Sequence, residues 1–135
     1  MAKHFKLAVL FISLALIVLS GCASTSTRAL SEDQRLLVHS NLNSGVLFES
    51  LIENVNNGGF TEVQLSGRNI SNNVQKIEYK IDWFDSRGME IKSILSRWNK
   101  KTLVNNMPFQ IHAISPKADI SSFKILIIRD DSSGS

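Results

Sequence analysis

Residues 75–84 read Gln75-Lys76-Ile77-Glu78-Tyr79-Lys80-Ile81-Asp82-Trp83-Phe84, and this stretch decides the fold. In an extended chain Ile77, Tyr79, Ile81 and Trp83 share one face, while Lys76, Glu78, Lys80 and Asp82 share the other. A helix would scatter these apolar residues around its axis; a strand, with its period of two, collects them. The stretch therefore reads as an antiparallel strand with one dry and one wet face. Unlike charges interleave on the wet side, the pattern of a solvated surface. Asp85-Ser86-Arg87-Gly88 then supplies turn chemistry, with Gly88 free to take positive φ. Met89 to Leu95 is expected to return as the partner strand.

The same alternation continues on both sides. Glu62 to Asn69 sets Val63 and Leu65 against Glu62, Gln64 and Ser66, and Asn69 to Asn73 turns the chain into the next strand. Gly45 to Asn54 carries Val46, Leu47, Phe48, Leu51 and Ile52, which fits either a bulged strand or a short helix. Asn56-Asn57-Gly58-Gly59 breaks the chain firmly. Phe109, Ile111 and Ala113 alternate with polar neighbours. Phe123 to Ile128 is apolar apart from Lys124, as expected of a central strand covered on both faces. Short strands separated by turn signals predict an all-β fold, an antiparallel β-sandwich of about seven strands with Trp83 in its core. The chain has a single cysteine, which cannot form an internal disulfide, so packing alone must hold that core.

That cysteine has a different explanation. Lys3 and Lys6 precede a run from Leu7 to Leu19 that is apolar except for Ser13. The run suits a secretory signal and falls short of the roughly 20 residues a membrane helix needs. Leu19-Ser20-Gly21-Cys22 follows directly and resembles the lipobox of bacterial lipoproteins. The resemblance implies cleavage before Cys22, a diacylglycerol on its sulfur and acylation of the new amino group. Two or more buried acyl chains suffice for stable anchoring. Residue 23 is alanine rather than aspartate, which by resemblance to enterobacterial sorting favours the outer membrane, with the domain facing the periplasm.

The expected organisation is a signal peptide over 1–21, a lipid anchor and flexible tether over 22–35, a β-sandwich over 36–130 and a polar tail over 131–135. Removing the signal also changes the charge. Of 15 Lys and Arg, 13 remain against 12 Asp and Glu, so the mature chain is nearly neutral. Such a balance gives no reason to expect nucleic acid as a partner.

Tyr79-Lys80-Ile81-Asp82-Trp83-Phe84-Asp85-Ser86-Arg87-Gly88-Met89-Glu90 resembles the signature of the YcfL family of bacterial lipoproteins, an aromatic-Asp-x-x-Gly-hydrophobic-Glu turn between two strands. Arg68-Asn69-x-Ser71 upstream, Trp98 downstream, the lipobox and the length are similar too. The resemblance covers roughly 36–129 and implies an immunoglobulin-like sandwich on a lipid anchor, in a family described mostly as of unknown function. Some relatives are encoded near a lipoprotein activator of peptidoglycan synthesis, an association that gives no residue a role. The signature also has a structural reading, in which Trp83 anchors the core, Asp85 bonds the turn backbone and Gly88 closes the hairpin.

No catalytic constellation stands out. His4 falls in the signal, and His39 and His112 lack Cys or acidic companions at ligand spacing, so neither a metal nor another cofactor is expected. There is no Gly-x-Ser-x-Gly elbow and no phosphate-binding glycine loop, and an acylated Cys22 is no nucleophile. Lys92, Arg97, Lys100 and Lys101 form a basic segment around Trp98 that could meet an anionic surface. The reading preferred is a lysine-rich edge strand with Trp98 packed against the sheet or core. The function expected is that of a membrane-anchored protein-interaction or scaffolding module of the cell envelope, with an unidentified envelope protein as partner and no enzymatic activity. The alternative is a binder of a small ligand or an envelope polymer such as peptidoglycan or lipopolysaccharide.

Overall fold

A computed structural model describes residues 30, 33–42 and 44–131. The signal, Cys22, most of the tether and all but the first residue of the polar tail lie outside the described residues. Seven strands form two sheets: β1 (Leu36–Val38), β2 (Val46–Val55), β3 (Phe60–Asn69), β4 (Gln75–Phe84), β5 (Asn99–Leu103), β6 (Pro108–Ala118) and β7 (Ser122–Arg129). One sheet has the order β1-β7-β4-β5 and the other β2-β3-β6. Four strands thus face three, the sandwich that the alternation implied. Its connectivity differs from the A-B-E-D and C-F-G sheets of an immunoglobulin constant domain, because the last strand lies between the first and the fourth.

The alternation explains the layers. Ile77, Ile81 and Trp83 of β4 and Phe123, Ile125 and Ile127 of β7 face inward and are buried. They meet Val63 and Leu65 of β3 and Phe109 and Ile111 of β6. Trp83 and Phe123 are register partners whose ring centroids lie 5.8 Å apart. Each such side chain contributes about 1.5–3 kcal/mol on burial. β7 is an interior strand as expected, yet only its inner face is fully covered. Leu126 and Ile128 on its outer face are half-buried and Lys124 is exposed.

Gly45 to Asn54 resolves in favour of the strand. β2 pairs with β3 along its length, with one irregularity between Phe48 and Ser50. Its counterpart Gly67 is the one strand residue that must lack a side chain. A Cβ there would lie 2.6 Å from the Leu47 carbonyl oxygen and 2.7 Å from the Phe109 ring. The Phe109 ring occupies that space and stands edge-on to Phe48, with centroids 6.0 Å apart. A second register shift falls between Phe60 and Glu62, where the Thr61 amide donates to Ser115 Oγ at 3.0 Å.

One expected strand is absent. Met89 to Leu95 does not return along β4. A single bridge, Phe84 to Glu90, and one bond from Ile91 N to Trp83 O continue the hairpin before the chain leaves the sheet. Ser93 diverts it. Leu95 N donates to Ser93 Oγ at 3.1 Å and Ser96 N to Ser93 O at 3.0 Å, a local turn that competes with the ladder. The partner on that side is instead β5, whose polar Asn99, Lys100, Lys101 and Thr102 carry no apolar alternation. It tolerates this composition because it is an edge strand.

The two ends of the sandwich differ. At one lie the β3–β4 and β5–β6 turns. At the other lie the β2–β3 and β6–β7 turns, the Asp85–Gly88 turn, and the point where the chain arrives from its N-terminal segment, since Arg35 O accepts from Ile125 N near the start of β7.

Candidate functional site

The signature residues come together as structure. Asp85 receives the Arg87 amide at 2.9 Å and the Met89 amide at 3.0 Å on Oδ1, while Arg87 Nη2 donates to Oδ2 at 2.8 Å. The Arg87 guanidinium, and then the backbone amides, hold the Asp85 carboxyl below the usual carboxylate range. Gly88 sits at φ 77°, where a Cβ would be strained, and its amide donates to Asp85 O. Trp83 is buried two residues before Asp85.

Asn69 is a second organising centre and is fully buried. Its Nδ2 donates to Asn73 O at 2.8 Å and to Leu103 O at 3.0 Å. Its Oδ1 accepts from the Ser71 amide and hydroxyl. Asn69 ends β3 in one sheet and Leu103 ends β5 in the other, so the side chain joins the two sheets.

The basic segment does not gather. Lys100 and Lys101 are neighbours on β5 and so point to opposite faces. Lys100 lies 3.1 Å from Asp130 and 3.3 Å from Glu78, and these carboxylates raise its pKa, Asp130 the more strongly. Lys101 pairs with the inward-facing Ile77 and is half-buried at the sheet rim. Lys92 and Arg97 are exposed in the loop that leaves the sheet. Trp98 lies outside the core and is 43% exposed, in the loop just before β5. His112 is exposed on β6, and no group of His, Cys, Asp or Glu suited to a metal occurs among the described residues. The wet face of β4 is less solvated than the sequence suggested. Lys80 and Asp82 pair at 2.9 Å with side chains 23% and 13% exposed.

Two features escape the period-two reading. Arg35, counted with the tether from sequence, belongs to the domain. It donates to Asp33 Oδ2 at 2.8 Å and, across the sandwich, to Glu53 Oε2 of β2 at 2.9 Å. Its guanidinium lies 5.2 Å from the centroid of Phe123. Asp33 is the first cause of its raised pKa. An Asp-x-Arg spacing is the only sequence signal for this, and it does not announce Glu53. The second is the outer face of the three-stranded sheet. Its cross-strand rows place Ile52, Gln64 and His112 together, and Ser50, Ser66 and Gln110 together. Charge lies in the flanking rows, at Arg68 and Glu62 of the central strand. Arg68 lies 3.6 Å from Glu49 and Glu62 accepts from Asn56.

The signature, the Asn69 centre and the sandwich all fall within residues 34–129, and over that range the chain matches the model of a family described as a protein of unknown function, DUF1425. The chain belongs to that family. Two solved structures share the DUF1425 chain's fold. Campylobacter jejuni cj0090 is 18% identical, with a TM-score of 0.61 over 71% of this chain and 98% of that one. A DUF1425 member from Shewanella sp. pv-4 is 20% identical, with a TM-score of 0.55 over 62% of this chain and 76% of that one. No curated protein matches the chain.

Proposed function

We propose that this DUF1425 protein is a lipid-anchored module of the bacterial envelope that binds another protein through the outer face and free edge of its three-stranded sheet. The observation that carries the reading is that face. Protein interfaces are depleted of charge at their centres, and the rows built on Ser50 and Ile52 hold no Asp, Glu, Lys or Arg. β2 is an edge strand of ten residues, and Leu47 and Ile52 project from its outer face exposed. Such an edge accepts an added strand through main-chain hydrogen bonds, with alternate side chains setting specificity.

The anchor rests on Leu19-Ser20-Gly21-Cys22 and the apolar run before it. The finer likeness to the YcfL lipoproteins rests on Tyr79 to Glu90 together with that lipobox. The outer membrane is the proposed location, because alanine follows the cysteine.

Photo-crosslinkers placed at Leu47 and Ile52 in intact cells test the reading. A single protein captured from both positions, and not from Thr102 on the opposite sheet, supports it. Equal capture of abundant lipoproteins from all three positions overturns it. Mass spectrometry of the protein purified from membranes tests the anchor separately, since a mature chain beginning at Cys22 must carry the added acyl mass.

A further inference from the structure

Between β4 and β5 the chain makes an excursion that the sandwich does not need. Ile91 lies level with Trp83 and Asn99 pairs with Tyr79, so residues 92–98 project from the sheet edge along the half nearer the N-terminal end. The Ser93–Ser96 turn is held by two hydrogen bonds, and its two central residues are Ile94 and Leu95. Turn corners ordinarily carry Gly, Asn, Asp or Pro. Here Ile94 is 87% exposed and Leu95 56%, with Trp98 following and Met89 exposed at the hairpin tip. Lys92 and Arg97 flank the apolar residues and make no ion pair among the described residues, and Glu90 is the excursion's carboxylate. An apolar tip between two cations, with an indole beside it, matches the layering of a phospholipid interface, where acyl chains lie beneath phosphates.

The chain outside the described residues decides between a bilayer and other occupants. It arrives at the end of the sandwich where the Asp85–Gly88 turn lies. Eleven residue steps separate Cys22 from Asp33, a span of at most about 40 Å even when fully extended. Acyl chains on Cys22 would therefore confine this end to the near-surface layer, where even weak insertion is favoured by a high effective concentration.

We infer that the Met89–Trp98 excursion seats on the phospholipid surface that holds the anchor, with Ile94, Leu95 and Trp98 inserted and Lys92 and Arg97 against phosphates. This rests on the anchored reading proposed above. Seated in this way, the excursion orients the sandwich on the bilayer and leaves the outer face of the three-stranded sheet available to a protein.

The full lipidated protein, reconstituted in phosphatidylethanolamine–phosphatidylglycerol vesicles, tests the inference. The chain has two tryptophans, of which Trp83 is 1% exposed and Trp98 reports the surface. Lipids brominated high on the acyl chain should quench a large share of the emission, and Trp98→Phe should abolish that quenching. Ile94→Ser with Leu95→Ser should reduce it at least twofold. Lys92→Glu with Arg97→Glu should reduce it at low salt. Vesicles that carry the protein on flotation but show no bromolipid quenching of Trp98 overturn the inference and leave the anchor standing. Absence of the acyl mass on Cys22 overturns the anchor itself, and the placement of the loop falls with it.

Discussion

Asn69 at the end of one sheet donates to the carbonyl oxygen of Leu103 at the end of the other, at 3.0 Å and out of reach of solvent. One amide therefore serves as an inter-sheet staple and as the organiser of the β3–β4 turn. Asn69→Ala leaves the Leu103 carbonyl buried without that partner, at about 1–3 kcal/mol. Asn69→Asp should be worse at neutral pH, because a carboxylate would face that carbonyl. Urea denaturation of the three proteins orders them; an alanine variant as stable as the parent would remove the staple from this account.

Gly67 and Phe109 share one space. Gly67→Ala should destabilise by about 1–3 kcal/mol through overpacking. Part of the clash is with the ring and part with the Leu47 carbonyl. In a Phe109→Leu background the ring component disappears, so the alanine penalty should shrink without vanishing. A double-mutant cycle reads this coupling, and strict additivity would contradict the shared-space argument.

The depressed pKa of Asp85 makes the turn pH-dependent. A carboxylate whose folded pKa lies below its unfolded value contributes stability that is complete above the unfolded value and is lost as pH falls through the folded one. The stability gap between the parent and Asp85→Asn should be widest at neutral pH. It should close once pH falls below the ordinary aspartate range. Parallel denaturation series from neutral to acid measure it, and a gap that widens on acidification would mean the sign is wrong.

Arg35 and Glu53 close the sandwich at 2.9 Å with side chains 39% and 40% exposed. At that exposure solvent screens the pair, and its coupling should be no more than about 1 kcal/mol, falling with added salt. Arg35→Ala should cost more than Glu53→Ala, because it also removes the contacts to Asp33 and to the Phe123 ring. Equal losses would place the whole effect in the ion pair.

Lys101 faces inward at the rim of an edge strand, where a buried-side charge deters edge-to-edge pairing. Lys101→Val should raise concentration-dependent light scattering on prolonged incubation. Thr102→Val, on the outward face of the same strand, should raise it less. The reverse order would assign the protection to another feature.

Residues 75–84 were legible because both faces of β4 are chemically distinct, and the same holds for β3 and β6, whereas β7 stood out as a nearly unbroken apolar run. β5 was not, because an edge strand has no second neighbour to demand apolar residues. Met89 to Leu95 misled for the complementary reason. Its apolar residues suit a strand, but Ser93 offers the backbone a closer partner than the ladder does. Asn69, Ser71, Asp85 and Gly88 were visible as turn chemistry, whereas the bond to Leu103 spans 34 positions and no local pattern encodes it. The same is true of the reach from Arg35 to Glu53. The rows of Ser50, Ser66 and Gln110 and of Ile52, Gln64 and His112 emerge only once three separated strands are placed in register.

β1 has one further consequence. It is short and runs parallel to β7, with Leu36, Leu37 and Val38 beside Ile125, Leu126 and Ile127. Because β1 runs away from the end at which the chain arrives, tension applied along the N-terminal segment acts along the strand axis. The rungs of this ladder are then strained together in shear, rather than opened one after another as in an unzipping hairpin. A pull on the N-terminal segment thus loads the shortest strand in shear.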